Sequence, residues 1–165
     1  MKPLVKINFQ LDGRPFTIET ESDRRLLDIL REDAGITGVR EGCGEGECGA
    51  CSIFLDGKLV NSCCVPAINA DGAEIITIDG FSETREFEII SKAYADAGAV
   101  QCGFCTPGFI MASAALLKEL PAPSEDEIRI GISGNLCRCT GYTMIIEAVQ
   151  IAAVNLAAER KAADV

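Results

Sequence analysis

Cys43, Cys48 and Cys51 are spaced C-x4-C-x2-C, and an adjacent pair, Cys63-Cys64, follows in the next stretch of chain. Three close thiolates plus a distant fourth form the plant-type arrangement for a [2Fe–2S] cluster: one loop supplies three ligands and a later element the last. The pattern constrains the fold strongly. The loop must curl tightly enough to aim N–H groups at sulfur, and a structured element must return a cysteine to it. Gly42, Gly44, Gly46 and Gly49 interleave the cysteines. They admit the left-handed backbone that glycine adopts cheaply.

Nine cysteines in 165 residues call for a use. Disulfides need an oxidising compartment, and Met1-Lys2-Pro3-Leu4 lacks the apolar run of a signal peptide, so a cytoplasmic location is expected. No run of eighteen apolar residues occurs, and Glu147, Gln150 and Asn155 break the C-terminal apolar stretch, so no membrane span is expected. The chain has no histidine. That removes Ser-His-Asp and Cys-His catalysis, His-ligated zinc and the Rieske centre. Any metal falls to thiolates, which favour iron–sulfur or structural zinc. A net charge of −10 argues against a nucleic-acid partner and is compatible with a protein partner carrying basic docking surfaces.

In the first half, Val5, Ile7, Phe9 and Leu11 alternate with polar residues, Asp12-Gly13 marks a turn, and Phe16, Ile18 and Thr20 resume the alternation. This predicts a hairpin. Ser22 or Asp23 is positioned to cap a helix to about Asp33, with Leu26, Leu27 and Leu30 on one face and Gly35 closing it. A second hairpin follows the cysteine loop, residues 52–55 and 58–61 about Asp56-Gly57, and a last strand is expected at 74–78.

Beyond Ile78 helical periodicity replaces alternation. Helices are expected at 86–97, 107–120, 125–133 and 143–158, with Thr106 as an N-cap before Pro107 and a capping box from Ser124 to Glu127. The expectation is an α+β chain: residues 1–79 a ferredoxin-like β-grasp domain, residues 80–165 an all-α four-helix bundle.

The helical half carries a second set, Cys102-x-x-Cys105 and Cys137-x-Cys139, both at helix boundaries where thiolates are favoured. Four thiolates make one complete site. Structural zinc is the competing use, but C-x-C is short for a zinc arm, and a thioredoxin-like role lacks its βαβ context. Eight ligands leave one cysteine over. On a strand, Cys63 and Cys64 would face opposite sides, one toward the loop and one buried as a small hydrophobe, and spacing does not choose between them.

Taken together the motifs are more specific than any one of them. Glu41-Gly42-Cys43-Gly44-x-Gly46-x-Cys48-Gly49-Ala50-Cys51, Asp56-Gly57-x-x-Val60-x-Ser62-Cys63, Gln101-Cys102-Gly103-Phe104-Cys105-Thr106-Pro107-Gly108 and Gly134-Asn135-Leu136-Cys137-Arg138-Cys139-Thr140-Gly141-Tyr142 occur in order. The chain, from about Val5 to Val154, closely resembles the small iron–sulfur subunit of the xanthine oxidase family of molybdenum hydroxylases.

That resemblance implies two [2Fe–2S] clusters, one on Cys43, Cys48, Cys51 and Cys63, the other on Cys102, Cys105, Cys137 and Cys139. It implies that Cys64 is spare, and that Gln101 and Cys139 contact a molybdopterin, in its cytosine dinucleotide form, on a large partner subunit. FAD would sit on a medium subunit, in a heterotrimer or a dimer of heterotrimers. Thr143-Met144 departs from the polar pair common in the family. The implied role is single-electron relay from molybdenum to FAD during hydroxylation of a small substrate, an N-heterocycle such as xanthine or nicotinate. No catalytic acid, base or nucleophile is expected in this chain. A free-standing two-cluster carrier and a thiolate–zinc interaction module are the alternatives.

Overall fold

Two Asp-Gly dipeptides set the sheet. Asp12 (φ 50°) with Gly13 (φ 74°), and Asp56 (φ 49°) with Gly57 (φ 75°), place both central turn residues in the left-handed region. Such turns match the twist of paired strands. In the computed structural model, which describes residues 3–163, β1 (Leu4–Leu11) therefore pairs antiparallel with β2 (Arg14–Glu21), Leu11 opposite Arg14. Likewise β3 (Ser52–Leu55) pairs with β4 (Lys58–Asn61), Leu55 opposite Lys58. Strand β5 (Glu74–Ile76) joins the hairpins, parallel to β1 and antiparallel to β3, in the order β2-β1-β5-β3-β4.

β5 stops two residues earlier than the alternation suggests. Thr77 is turned out of the ladder: its N–H and hydroxyl both donate to the Asp12 carboxylate at 2.7 Å. Its hydroxyl oxygen accepts from Asp79 N–H and Gly80 N–H, capping the short helix α2, Ile78–Phe81.

The helix expected after Ser22 or Asp23 starts later. Neither residue caps it. Ala67 N–H donates to Arg24 O and Leu26 N–H to Val65 O, both at 2.8 Å, and this bridge holds Arg25 extended (ψ 136°). Helix α1 is confined to Leu26–Asp28 and widens into a π-helical turn, Ile29–Asp33. Gly35 (φ 72°) closes it as expected, with Ile36 N–H reaching Leu30 O at 2.8 Å. Leu26, Leu27 and Leu30 are fully buried against Ile7, Phe9, Ile53 and Ile75.

The second half is helical: α3 (Arg85–Asp96), α4 (Thr106–Glu119), α5 (Glu125–Gly131) and α6 (Thr143–Ala163). The Ser124–Glu127 capping box forms, and α6 runs past the expected end at Ala158. Thr106 is not a cap. Cys105 already has helical backbone angles and its carbonyl accepts from Phe109 N–H at 3.1 Å, so Thr106 is the first helical residue. A second core, with Ile90, Tyr94, Phe109, Met111, Leu117, Ile128, Ile145 and Val149, fills the space between these helices. Phe54, Leu59 and Ile76, half-buried on the sheet, pack against it, and the rings of Phe54 and Phe81 meet edge-on at 6.2 Å. The chain is thus α+β, a mixed sheet followed by helices, with an apolar seam joining them.

Candidate metal centres

The loop Cys43–Cys51 directs amides at sulfur. Glu45 N–H and Glu47 N–H donate to Cys43 Sγ at 3.3 and 3.4 Å, and Cys43 N–H donates to Cys48 Sγ at 3.3 Å. Gly44, Gly46 and Gly49 have φ between 65° and 82°, and a Cβ on Gly42 would lie 2.8 Å from Cys48 Sγ. The Glu45 amide is the main reason that the Cys43 thiol is lowered to about 7, against the opposing effect of desolvation.

The remaining cysteine of this site arrives on a turn, not a strand. After β4 the chain enters a 3₁₀ turn, Ser62–Cys64. Ser62 donates to Cys51 O from its hydroxyl (2.9 Å) and its N–H (3.2 Å), and Asn61 Nδ2 donates to Gly46 O at 2.7 Å. Cys63 is buried, 6% exposed, within hydrogen-bonding reach of Cys51. Burial first, then Cys51, pushes its thiol up to about 12. Cys64 is exposed, which corrects the expectation of a buried spare, because a 3₁₀ turn does not send successive side chains to opposite faces.

In the helical half, Cys102 and Cys105 lie on the turn before α4, and Cys137 and Cys139 on the segment before α6. Cys139 Sγ is 3.8 Å from Cys102 Sγ, and Cys105 lies within reach of Cys137. Burial, then Cys137, pushes the Cys105 thiol up to about 12. At Cys137 burial acts upward too, but the Thr140 hydroxyl (3.2 Å) and nearby amides outweigh it and hold this thiol below its ordinary value. Tyr142 (φ 72°) accepts the Cys137 N–H on its hydroxyl at 3.0 Å. Cys102, Cys139 and Gln101 are exposed, with the apolar side chains of Val100, Phe104 and Leu136 also exposed along the same segments.

The two cysteine regions touch. Leu136 N–H donates to Cys48 O at 3.0 Å and Asn135 Nδ2 to Gly49 O at 3.1 Å. Arg40, beside the first loop, donates to Gly103 O at 2.7 Å and sets its guanidinium 5.4 Å from the centre of the Phe104 ring. Periodicity and ligand spacing singled out none of Arg40, Thr140 or the Asn135 amide. Arg40 did leave a trace, being the sole cation between Arg31 and Lys58 in an acidic stretch.

Four pairs of thiols interact, Cys43 with Cys48, Cys51 with Cys63, Cys102 with Cys139 and Cys105 with Cys137, and Cys63 also lies beside Cys64. Among the described residues no helix is long and apolar enough to cross a membrane.

Residues 9–74 match the family of the 2Fe-2S iron–sulfur cluster binding domain, and residues 77–150 that of the [2Fe-2S] binding domain. The chain is 49% identical over 148 residues to the nicotinate dehydrogenase small FeS subunit of Eubacterium barkeri, covering 90% of this chain and 94% of the relative. It is 45% identical over 148 residues to the xanthine dehydrogenase iron–sulfur-binding subunit of Escherichia coli, covering 88% and 92%. A chain of the crystal structure of quinoline 2-oxidoreductase from Pseudomonas putida 86 superposes with a TM-score of 0.88 at 42% identity, covering 96% of this chain and 98% of that one. With both halves matched by [2Fe–2S]-binding families and relatives covered nearly end to end, the chain belongs to the small iron–sulfur subunits of the xanthine oxidase family of molybdenum hydroxylases, as the iron–sulfur subunit of an oxidoreductase.

Proposed function

We propose that this chain is the electron-relay subunit of a multi-subunit molybdenum hydroxylase, with a ferredoxin-like unit over residues 1–79 and a four-helix bundle over 80–165. Cys43, Cys48, Cys51 and Cys63 hold one [2Fe–2S] cluster; Cys102, Cys105, Cys137 and Cys139 hold the other. When bound, each cluster stores a single electron with little structural change.

The observation that carries this reading is the pairing of thiols. A binuclear cluster takes two thiolates on each metal. With a metal–thiolate bond of about 2.3 Å, two thiolates on one tetrahedral metal stand about 3.8 Å apart. Cys102 and Cys139 are at 3.8 Å. Around a single zinc ion all four sulfurs would converge on one point. The chain's own contribution is to aim amides and the Thr140 hydroxyl at sulfur, which favours the thiolate form.

Cys102, Cys105, Cys137 and Cys139 would hold the cluster that takes electrons from a partner's molybdenum, and Cys43, Cys48, Cys51 and Cys63 the cluster that passes them toward FAD. The exposed pair Cys102 and Cys139, beside Gln101 and the exposed Val100 and Phe104, supports a pterin-bearing large subunit docking there. The exposed Cys43 supports a FAD-bearing medium subunit at the loop end. Heterotrimers, single or dimerised, working in the cytoplasm complete the reading. The relatives described above are named for nicotinate, xanthine and quinoline, so an N-heterocycle is the substrate we favour.

Purification from the source organism tests it. The expected preparation contains molybdenum, FAD and about four irons with matching acid-labile sulfide per copy of this chain, from two binuclear clusters, and it oxidises N-heterocycles in preference to aldehydes. Zinc without sulfide, or an active chain that purifies alone, overturns it.

A further inference from the structure

The turn that presents Cys63 also presents Cys64, and their sulfurs are 3.7 Å apart. That is about the spacing of two thiolates on one tetrahedral metal. Cys64 is not turned away from the loop: a Cβ added to Gly46 would lie 2.7 Å from Cys64 Sγ, so glycine at 46 leaves room for this sulfur. The two adjacent thiols thus abut the same glycine-lined rim.

The turn itself does not depend on the Cys63 side chain. Asn61 fastens it to Gly46 O, Ser62 fastens it twice to Cys51 O, and Val65 N–H returns to Ser62 O at 3.3 Å. Removing the Cys63 sulfur therefore leaves the backbone carrying Cys64 in place. A staggered χ1 change is the motion needed to bring the second sulfur toward the space of the first.

We infer that Cys64 is a reserve ligand for the first cluster, taking over the coordination position of Cys63 when that thiolate is missing. The inference rests on the cluster assignment proposed above. Where residue 63 offers no thiolate, Cys64 fills the open coordination position on iron and its thiol proton goes to solvent; no bond to Cys63 is broken. No oxidation state changes. With Cys63 present, Cys64 stays exposed and uncoordinated.

The full chain, purified together with its partner subunits, is compared as wild type, Cys64→Ala, Cys63→Ala and Cys63→Ala/Cys64→Ala. Iron and sulfide are counted, the electron paramagnetic resonance of the reduced clusters is recorded, and alkylation of Cys64 by iodoacetamide is followed by mass spectrometry. Wild type and Cys64→Ala are expected to carry both clusters, with Cys64 alkylated in the wild type. Cys63→Ala is expected to keep both signals and full iron, with Cys64 now protected. The double variant is expected to lose half of the iron and only the first cluster's signal. A Cys63→Ala protein that loses the first cluster, alone or with the second, overturns the inference. So does a double variant that retains as much iron as the single one. A wild type without two clusters contradicts the functional reading instead.

Discussion

The main-chain N–H of Leu136 donates to the carbonyl of Cys48 at 3.0 Å, tying the residue before Cys137 to a cysteine of the other loop. Asn135 and Gly49 repeat the contact one residue along, at 3.1 Å. The approach is close because Gly108, in the first turn of α4, has no side chain: a Cβ there would collide with the Gly49 carbonyl.

Gly108→Ala tests that closeness. Alanine in the helix contributes about 1 kcal/mol over glycine, whereas overpacking a filled site costs about 1–3 kcal/mol. The clash here is with backbone, which cannot rotate aside, so the upper end applies and a net loss of about 2 kcal/mol is expected. A lower denaturation midpoint with partial loss of iron from both sites is the expected result. Unchanged stability would mean that the two loops separate without cost.

Arg40 fastens the loop of the second site from the side of the first. Arg40→Lys keeps the charge but loses the planar group that stacks on Phe104 and reaches Gly103 O. A destabilisation of about 1–2 kcal/mol is expected from the weakened charged hydrogen bond and ring contact. Urea denaturation gives the magnitude. Limited proteolysis between Val100 and Phe104 reports whether the loop itself has loosened.

Within the helical core, Ser113 Oγ donates to Phe109 O at 2.8 Å and meets the Tyr94 hydroxyl at the same distance. Ser113→Ala leaves the buried phenol with only a 3.4 Å approach to Phe109 O, and about 1–3 kcal/mol is expected to be lost. Tyr94→Phe removes the donor and leaves the Ser113 bond intact, so only about 0.5–1.5 kcal/mol is expected. Denaturation of both variants checks the order, and equal losses would contradict it.

The capping box of α5 carries a pH dependence of defined sign. The Ser124 N–H, then the Ser124 hydroxyl, hold the Glu127 carboxyl below its ordinary value of 4.5. A depressed carboxylate contributes stability that is fully present above the unfolded-state value and lost as pH falls through the folded-state value. Wild type is therefore expected to melt above Glu127→Ala at neutral pH, with the difference constant down to about pH 5 and shrinking below it. A difference that grows on acidification would reverse the assignment.

Much of this was legible in the chain. The Asp-Gly hairpins, the Gly35 closure and the Ser124 box are each set by a few neighbouring residues, and each formed where those residues stand. One misreading is local, Thr106 giving way as cap to its neighbour Cys105, and the others involve partners farther along the chain. Ser22 and Asp23 look like caps, but the bridge from Arg25 to Pro66 keeps the backbone extended past them. Strand β5 ends early because Asp12 captures Thr77. Cys64 was expected buried because a strand was expected, and the turn fastened to Cys51 and Gly46 replaced it.

The first loop is where the division is sharpest. The spacing of Cys43, Cys48 and Cys51 among glycines is a property of the chain, and with the absence of histidine it determined on its own that any metal falls to thiolates. Which sulfurs meet is a different matter, because a thiol pair such as Cys51 with Cys63 or Cys102 with Cys139 closes a loop between residues distant in the chain. Loop closure is governed by the packing that brings the ends together and not by the residues at the ends. Only the tertiary structure decided those pairs, the exposure of Cys64 beside Cys63, and the hydrogen bond from Leu136 to Cys48 that joins the two sites.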